Sequence, residues 1–274
     1  MSNLSVMPMS DDLAHDAGAV VTPLYSNAVA DSGVMQKQLV RELNITEMGL
    51  TAPWHYSAGL IERELPRVQE QFQDIRAADP GMTDKLRSFA SMRRERTGEL
   101  KLLPHSAYRQ VVNQQNSGAR DIQQMADALR LNPLVEAIAH LTLEVAEQFL
   151  PELFDQEAVR VDYHAIRYHV KGSTVALSTP PWAHRDSEPF VHLVVIDRKR
   201  VVGGDTFVAL GGARLPNTGL CLAEMQGLMI PQSLLHGVSP LMSADGSPGW
   251  RDAFVVTVQK LADGGLGREY DNAA

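Results

Sequence analysis

The most specific chemical signal in this chain is a histidine and an aspartate two residues apart, His184 and Asp186, with His236 following 52 residues after His184 and Arg251 a further 15 on. In an extended segment side chains alternate with a period of two. A His-x-Asp pair therefore presents its imidazole and carboxylate on one face, where both can reach a single metal ion. A histidine from another strand completes a three-donor face and leaves the opposite positions open to small ligands. Two histidines and one carboxylate are the set that holds non-haem Fe(II) in oxygenases, and zinc accepts the same donors. His236 sits in Leu234-Leu235-His236-Gly237-Val238-Ser239-Pro240. The glycine permits close backbone approach and the proline ends the element. Arg251 opens the run that continues to Val258, and a guanidinium there suits bidentate capture of a carboxylate.

The elements that must position these residues follow from the hydrophobic pattern. After Pro151, Val159, Val161, Tyr163 and Ala165 alternate with more polar neighbours, and the runs PFVHLVVID, TFVAL, GLMIP and AFVVTV lie between Gly, Pro, Asn and Ser clusters. Short strands with turn signals and no helical pattern between them predict a mostly antiparallel sandwich or barrel over 151–262. Residues 34–150 read as mostly helical, with apolar spacings of three and four over 35–49, 60–75, 121–131 and 133–149, and a further helix expected from Thr83. The stripe Leu134, Ile138, Leu141, Val145 and Phe149 is expected to pack on a sheet. Arg87, Arg93, Arg94 and Arg96, mixed with glutamates, could form a basic patch for an acidic ligand, but mixed-sign charge favours a solvated helix face. Residues 1–33 and 263–274 lack periodicity and read as flexible ends of a single domain.

The chain has 274 residues, 44% of them hydrophobic, and a formal charge of −8. A chain of this length buries roughly 75% of its unfolded surface, so its core needs no cross-link. The lone cysteine, Cys221, agrees, since one cysteine forms no disulfide within a chain. No apolar run approaches the ~20 residues of a membrane helix, and the first residues lack the basic and apolar regions of a secretion signal. A cytoplasmic protein is expected, with neither membrane nor nucleic acid as partner, because net acidity removes the electrostatic footprint that nucleic-acid binders carry. The expected partner is a small molecule. Composition does not speak to oligomeric state.

The runs STPPWAHRDSEPFVHLVVID, VVGGDTFVAL, LLHGVSPL and WRDAFVVTV resemble, in order, the family of Fe(II)/2-oxoglutarate-dependent dioxygenases that includes the bacterial L-isoleucine 4-hydroxylase. The similarity covers about 100 residues, from Asp162 to Val258, and extends more faintly upstream through Tyr108-Arg109-Gln110, Asn113, Asn116-Ser117-Gly118 with Arg120, and Asn132-Pro133-Leu134. It implies an α+β fold: a double-stranded β-helix (jelly-roll, cupin-like) core in the C-terminal half, with N-terminal helices packed on it. It also implies Fe(II), 2-oxoglutarate and O2 as cofactors, with His184, Asp186 and His236 as iron ligands and Arg251 on the distal carboxylate of 2-oxoglutarate. Gly203-Gly204-Asp205 matches the turn after the first ligand pair. Some relatives follow the arginine two residues later with a serine that also binds the cosubstrate. Here that residue is Ala253, leaving Thr206, Thr257 and Tyr168 as candidates for a second hydroxyl donor. Relatives that halogenate lack this carboxylate and take the halide in its place, so the resemblance, with Asp186 present, implies hydroxylation rather than chlorination.

The resemblance also implies a substrate class, a free aliphatic L-amino acid, with hydroxylation of an unactivated C–H bond and release of succinate and CO2. An amino-acid-derived metabolite or a carrier- or peptide-bound residue are alternatives within the same chemistry, and a metal-binding barrel without turnover is an alternative outside it. Glu188, on the parity of Asp186, is a candidate partner for the ammonium, or else an exposed edge carboxylate. Arg167 and Arg120 are candidates for the carboxylate, or else members of surface or structural ion pairs. His164 and His192 either line the cavity or are hydrogen-bonded core histidines, and Trp182 either walls the pocket or packs.

Overall fold

The computed structural model describes residues 49–78, 82–110, 118–155, 158–178, 183–210 and 219–261. Among the described residues there are three α-helices: α1 (Ala58–Phe72), α2 (Asp127–Arg130) and α3 (Pro133–Phe149). The strands are β1 (Gly49–Thr51), β2 (Lys85–Glu95), β3 (Leu100–Leu102), β4 (Tyr108–Gln110), β5 (Gly118–Arg120), β6 (Gln123–Gln124), β7 (Ala158–Val170), β8 (Val175–Ala176), β9 (Phe190–Lys199), β10 (Val201–Gly203), β11 (Thr206–Leu210), β12 (Gly227–Pro231), β13 (Leu234–Val238), β14 (Leu241–Ser243) and β15 (Gly249–Lys260).

The large sheet runs β1-β12-β9-β15-β7-β2-β3, with β6 parallel to β2. A second layer consists of β10-β14-β8 and the pair β11-β13. This is a jelly roll, and period-two alternation decides what each face of its large sheet does. Val161, Tyr163 and Ala165 of β7, with Phe254, Val256 and Val258 of β15, pack against Leu65, Val68 and Phe72 of α1 and Leu134, Ile138 and Leu143 of α3. Val191, Leu193 and Val195 of β9, with Ala253 of β15, point the other way and join Val208 and Leu234 of the β11-β13 pair. The helix stripe predicted over 133–149 therefore does pack on a sheet. Asn132 caps α3 by accepting from the Leu134 amide at 2.8 Å, and Pro133 occupies its first turn. Asn132 also donates to Glu64 of α1 at 3.1 Å, which ties the two long helices together.

Two sequence expectations fail. The helix expected from Thr83 is instead the 11-residue strand β2, paired with β7 from Lys85↔Tyr168 to Glu95↔Ala158. The helix expected over 121–131 shrinks to the four residues of α2, because Gln123 and Gln124 pair alongside Ser88 and Phe89. In both cases tertiary pairing overrides local pattern. Of the run over 35–49 only Gly49 is described, and it starts a strand. The segments 1–33 and 263–274 lie outside the described residues. No helix among the described residues is long and apolar enough to cross a membrane.

The same alternation places His192 of β9 on the helix side, completely buried. Its ring bonds Thr142 of α3 at 2.7 Å and Thr51 of β1 at 2.9 Å. Burial pushes its pKa down from an ordinary 6.5 to about 3. Between those values the unfolded chain takes up a proton that the folded chain refuses. The contribution of His192 to stability is thus full above pH 6.5 and is lost as pH falls toward 3, at up to about 1.4 kcal/mol per pH unit. The variant His192→Gln is expected to flatten this part of a Tm-versus-pH curve, and an unchanged acid limb would show that His192 plays no such part.

Candidate metal centre

The segment before β9 and strand β13 bring the three predicted donors together. His184 and His236 form an antiparallel bridge, each amide donating to the other's carbonyl at 2.8 and 2.9 Å. Their rings lie 4.5 Å apart, centroid to centroid. Asp186 aims one carboxylate oxygen at each: Oδ1 is 3.5 Å from His184 Nε2, and Oδ2 is 3.2 Å from His236 Nε2. One ligand atom from each residue falls within 4.8 Å of the other two, and this is the one such grouping of His, Cys, Asp and Glu found among the described residues. Burial works to raise the Asp186 carboxyl, but hydrogen bonds from His184 and His236 outweigh it and hold the group below the usual carboxylate range. Two imidazole nitrogens converging on one carboxylate form a three-donor face that fits a divalent transition metal and leaves it open positions.

Beside the triad a cavity of about 130 Å³ opens between the two layers. Its aliphatic wall comes from Ile166, Val191, Leu193, Ile230 and Val255, and its polar wall includes Lys85, Arg87, Arg120, His164, Tyr168 and Thr206. Arg251 lies just behind this lining, directly across the β15–β7 pairing from Tyr168. It is 2% exposed, and its Nε and Nη2 have no hydrogen-bond partner among the described residues. Burial pushes its pKa down to about 10. The hydroxyls of Thr206 and Thr257 are likewise buried without a partner among the described residues. Unmade hydrogen bonds on a buried cation are expensive. Such a set fits an anion, and a carboxylate supplies the acceptors it lacks. Backbone turns shape this end: Gly203 and Gly204 have φ of 76° and 70°, as the turn reading of Gly203-Gly204-Asp205 requires. A Cβ on Gly203 would sit 2.0 Å from the Pro240 carbonyl oxygen.

Of the residues proposed for substrate contact, His164 and Arg120 line the cavity. Glu188 is 4% exposed, which overturns the exposed-edge alternative. It accepts from Tyr108 at 2.5 Å and from Ser187 at 3.0 Å, and burial raises its pKa. Arg167 and His192 are corrections. Both fall on the parity that faces away from the cavity. Arg167 instead grips the fully buried Asp252 with two bonds, Nε–Oδ1 at 2.7 Å and Nη2–Oδ2 at 2.5 Å. Its guanidinium also lies 5.1 Å from the Trp250 ring. Trp182 lies outside the described residues. Lys85, Arg87 and Tyr108 also line the cavity, and Arg87, 8% exposed and on a strand, corrects the expectation of a solvated helix face at that residue. Lys85, Arg87 and Phe89 alternate on the inward face of β2, opposite Tyr168, Ile166 and His164. A period of two in KLRSF was the available signal, and the charges concealed it.

Comparison with known proteins places these features in a family. The family model described as 2OG-Fe dioxygenase matches residues 69–257. An L-isoleucine-4-hydroxylase of Bacillus thuringiensis is 29% identical over 142 residues, which cover 50% of this chain and 58% of that enzyme. The chain therefore spans less than two thirds of that relative's length in the matched stretch. A 3(1)-hydroxy-L-isoleucine 4-dioxygenase of Pantoea ananatis is 22% identical over 202 residues, 72% of this chain and 81% of that one. Among solved structures, IDO from Bacillus thuringiensis superposes with a TM-score of 0.68 at 19% identity, covering 86% of this chain and 99% of its own. A bsmA homolog from Methylobium petroleophilum gives 0.68 at 21% identity, with 85% and 95% covered. At these identities the structures speak to the fold, and both carry it across nearly their whole length.

Two substitutions separate the site from its scaffold. Asp186→Ala is expected to abolish retention of one Fe(II) per chain, measured by metal analysis after anaerobic loading and desalting, while the fold persists by circular dichroism. Burial raises the Asp252 carboxyl to about 6 even with Arg167 beside it, so Arg167→Met leaves Asp252 to bind a proton near neutral pH and stay buried without its hydrogen-bond partner, and is expected to lower unfolding stability by about 1–3 kcal/mol. Iron retention should stay unchanged, and a denaturant titration that matches wild type would refute the assignment.

Proposed function

The chain belongs to the 2OG-Fe dioxygenase family, and from that premise we propose that it hydroxylates an unactivated C–H bond of a free L-amino acid. Its cofactors are Fe(II), 2-oxoglutarate and O2. When bound, they supply the oxidising power: one oxygen atom of O2 becomes the hydroxyl of the product and the other enters succinate, as 2-oxoglutarate loses CO2. The reactive chemistry belongs to these groups, and the protein's share is binding and orientation.

In this reading His184, Asp186 and His236 hold the iron. Arg251 receives the distal carboxylate of 2-oxoglutarate, with Thr206 and Tyr168 beside it. The single observation that carries the substrate assignment is the cavity. At about 130 Å³ it is smaller than the roughly 300–1,000 Å³ of pockets for drug-sized ligands, so it suits a compact molecule. Its lining combines aliphatic with basic side chains, which suits a molecule with a short hydrocarbon side chain and a carboxylate. The two curated relatives, named for isoleucine and a hydroxyisoleucine, point the same way. An aliphatic wall with no hydrogen-bonding demand on the side chain orients it by shape alone, so the C–H bond nearest the metal is selected by position.

The test is incubation of the purified protein with Fe(II), 2-oxoglutarate, ascorbate and a panel of free L-amino acids, with succinate and product read by mass spectrometry. Iron-dependent succinate together with a single added oxygen on an aliphatic amino acid is the expected result. Succinate without any oxygenated amino acid would overturn the free-amino-acid assignment and direct attention to derivatised substrates.

A further inference from the structure

The cavity wall contains a histidine that the metal centre does not use. His164, in the middle of β7, is 1% exposed and lines the cavity. Its Nδ1 accepts from Arg87, with Nη2 at 2.7 Å and Nε at 3.2 Å. A guanidinium only donates and keeps its protons in proteins. Nδ1 must therefore carry a lone pair, and in a neutral imidazole the proton then resides on Nε2. That second nitrogen is buried and has no hydrogen-bond partner among the described residues. The ring is held rigidly: Phe89 stacks on it at 4.8 Å between centroids and Tyr108 meets it edge-on at 4.5 Å. Tyr108 is itself fixed by its bond to Glu188.

We infer that Arg87 and His164 form a carboxylate-recognition pair in the cavity, in which His164 donates from Nε2–H to a carboxylate oxygen of the bound ligand and Arg87 fixes the tautomer that makes this possible. The inference deepens the proposed function and rests on it for the identity of the ligand. Two molecules in that reaction carry carboxylates, the amino acid and 2-oxoglutarate, and the donor chemistry is the same for both. Neutrality of the ring follows from its surroundings as well. Burial and the positive charges of Arg87 and Lys85 hold its pKa well below the ordinary value. A neutral Nε2–H has no lone pair for a metal, so His164 is a donor to ligand and not a fourth metal ligand. Arg87 adds the positive charge that makes an anionic acceptor preferable to a neutral one.

The experiment uses zinc-loaded full-length protein labelled with ¹⁵N-histidine, since zinc takes the same donors and is diamagnetic. His164 resonances are assigned by their loss in His164→Gln. The expected result is the Nε2–H tautomer before any ligand is added, and a shift of that Nε2–H resonance when a carboxylate ligand arrives. A shift on adding 2-oxoglutarate alone assigns the pair to the cosubstrate. A shift only when L-isoleucine follows 2-oxoglutarate assigns it to the amino acid. An Nδ1–H tautomer, an imidazolium, or a resonance that neither ligand moves overturns the pair.

Calorimetry on the same zinc-loaded protein gives a second readout. His164→Phe keeps the ring packing but removes the donor, and it is expected to weaken binding of whichever ligand moved the resonance by roughly ten- to a hundredfold. His164→Gln, which restores an N–H in about the same place, should recover part of that loss. Equal affinities in wild type and His164→Phe would overturn the role. Failure of the amino-acid reading is seen separately. An amino-acid panel that yields no oxygenated product, alongside a 2-oxoglutarate-induced shift, removes the proposed substrate and leaves the pair standing.

Discussion

The antiparallel pairing of β15 with β7 on one side and β9 on the other is the constraint from which the rest of the molecule follows. β15 runs alongside β7 for 12 consecutive residue pairs, from Gly249↔Val170 to Lys260↔Val159. Over such a length a slip of one residue would turn every side chain to the wrong face. Phe254, Val256 and Val258 would then leave the helices, and Arg251 would leave the interior. The register that buries the apolar core is thus the same register that delivers the guanidinium to the site. Stability and function are set by one choice of pairing.

That pairing has one irregularity, and it falls beside the site. Between Asp252 and Ala253 the register on β9 jumps from Asp197 to Val195, leaving Ile196 unopposed. The extra residue shifts the alternation of β9 beyond it. Before the bulge Val191, Leu193 and Val195 face the inner layer, and after it Arg198 lies opposite Arg251. Arg198 donates to the carbonyls of Gly203 at 2.5 Å and Gly204 at 3.4 Å, so the bulge lets a second cation brace the turn that packs against Arg251. A regular strand would have left that turn without its brace.

What was legible in the sequence divides along the same physical line. Where one face of a strand is apolar, as with Val159, Val161, Tyr163 and Ala165, the period of two shows in the residues, and β7 was readable. The metal donors were readable because their chemistry is specific and His-x-Asp spacing is short. β2 was not. Its inward face carries Lys85 and Arg87, whose burial only the assembled cavity explains, and charged residues among glutamates imitate an exposed helix. Arg167 and His192 failed for the opposite reason. Their types suit a ligand site, and only the strand parity relative to the sheet's two faces shows that one holds Asp252 and the other bridges Thr51 and Thr142. Residue type proposes a role, but parity decides which side of the sheet can use it.

The distribution of charge completes the argument. The whole chain is acidic, at −8, yet the cavity reverses that sign. Lys85, Arg87 and Arg120 line it, with Arg251 behind, while Asp186 is the one acidic residue of the lining among the described residues. The buried Glu188 carboxyl is turned to Tyr108 and Ser187. Cations in a low-dielectric recess focus the field and concentrate small anions against a background that repels them. A divalent metal on His184, Asp186 and His236 would strengthen that bias. In the proposed function such a pocket would discriminate by charge before it discriminates by shape, and the aliphatic side chains would then act on molecules already oriented by their carboxylates. Such ordering would let so small a cavity combine weak, shape-based contacts with a well-defined pose: the ionic end would set the position, and the hydrocarbon end would have only to fit.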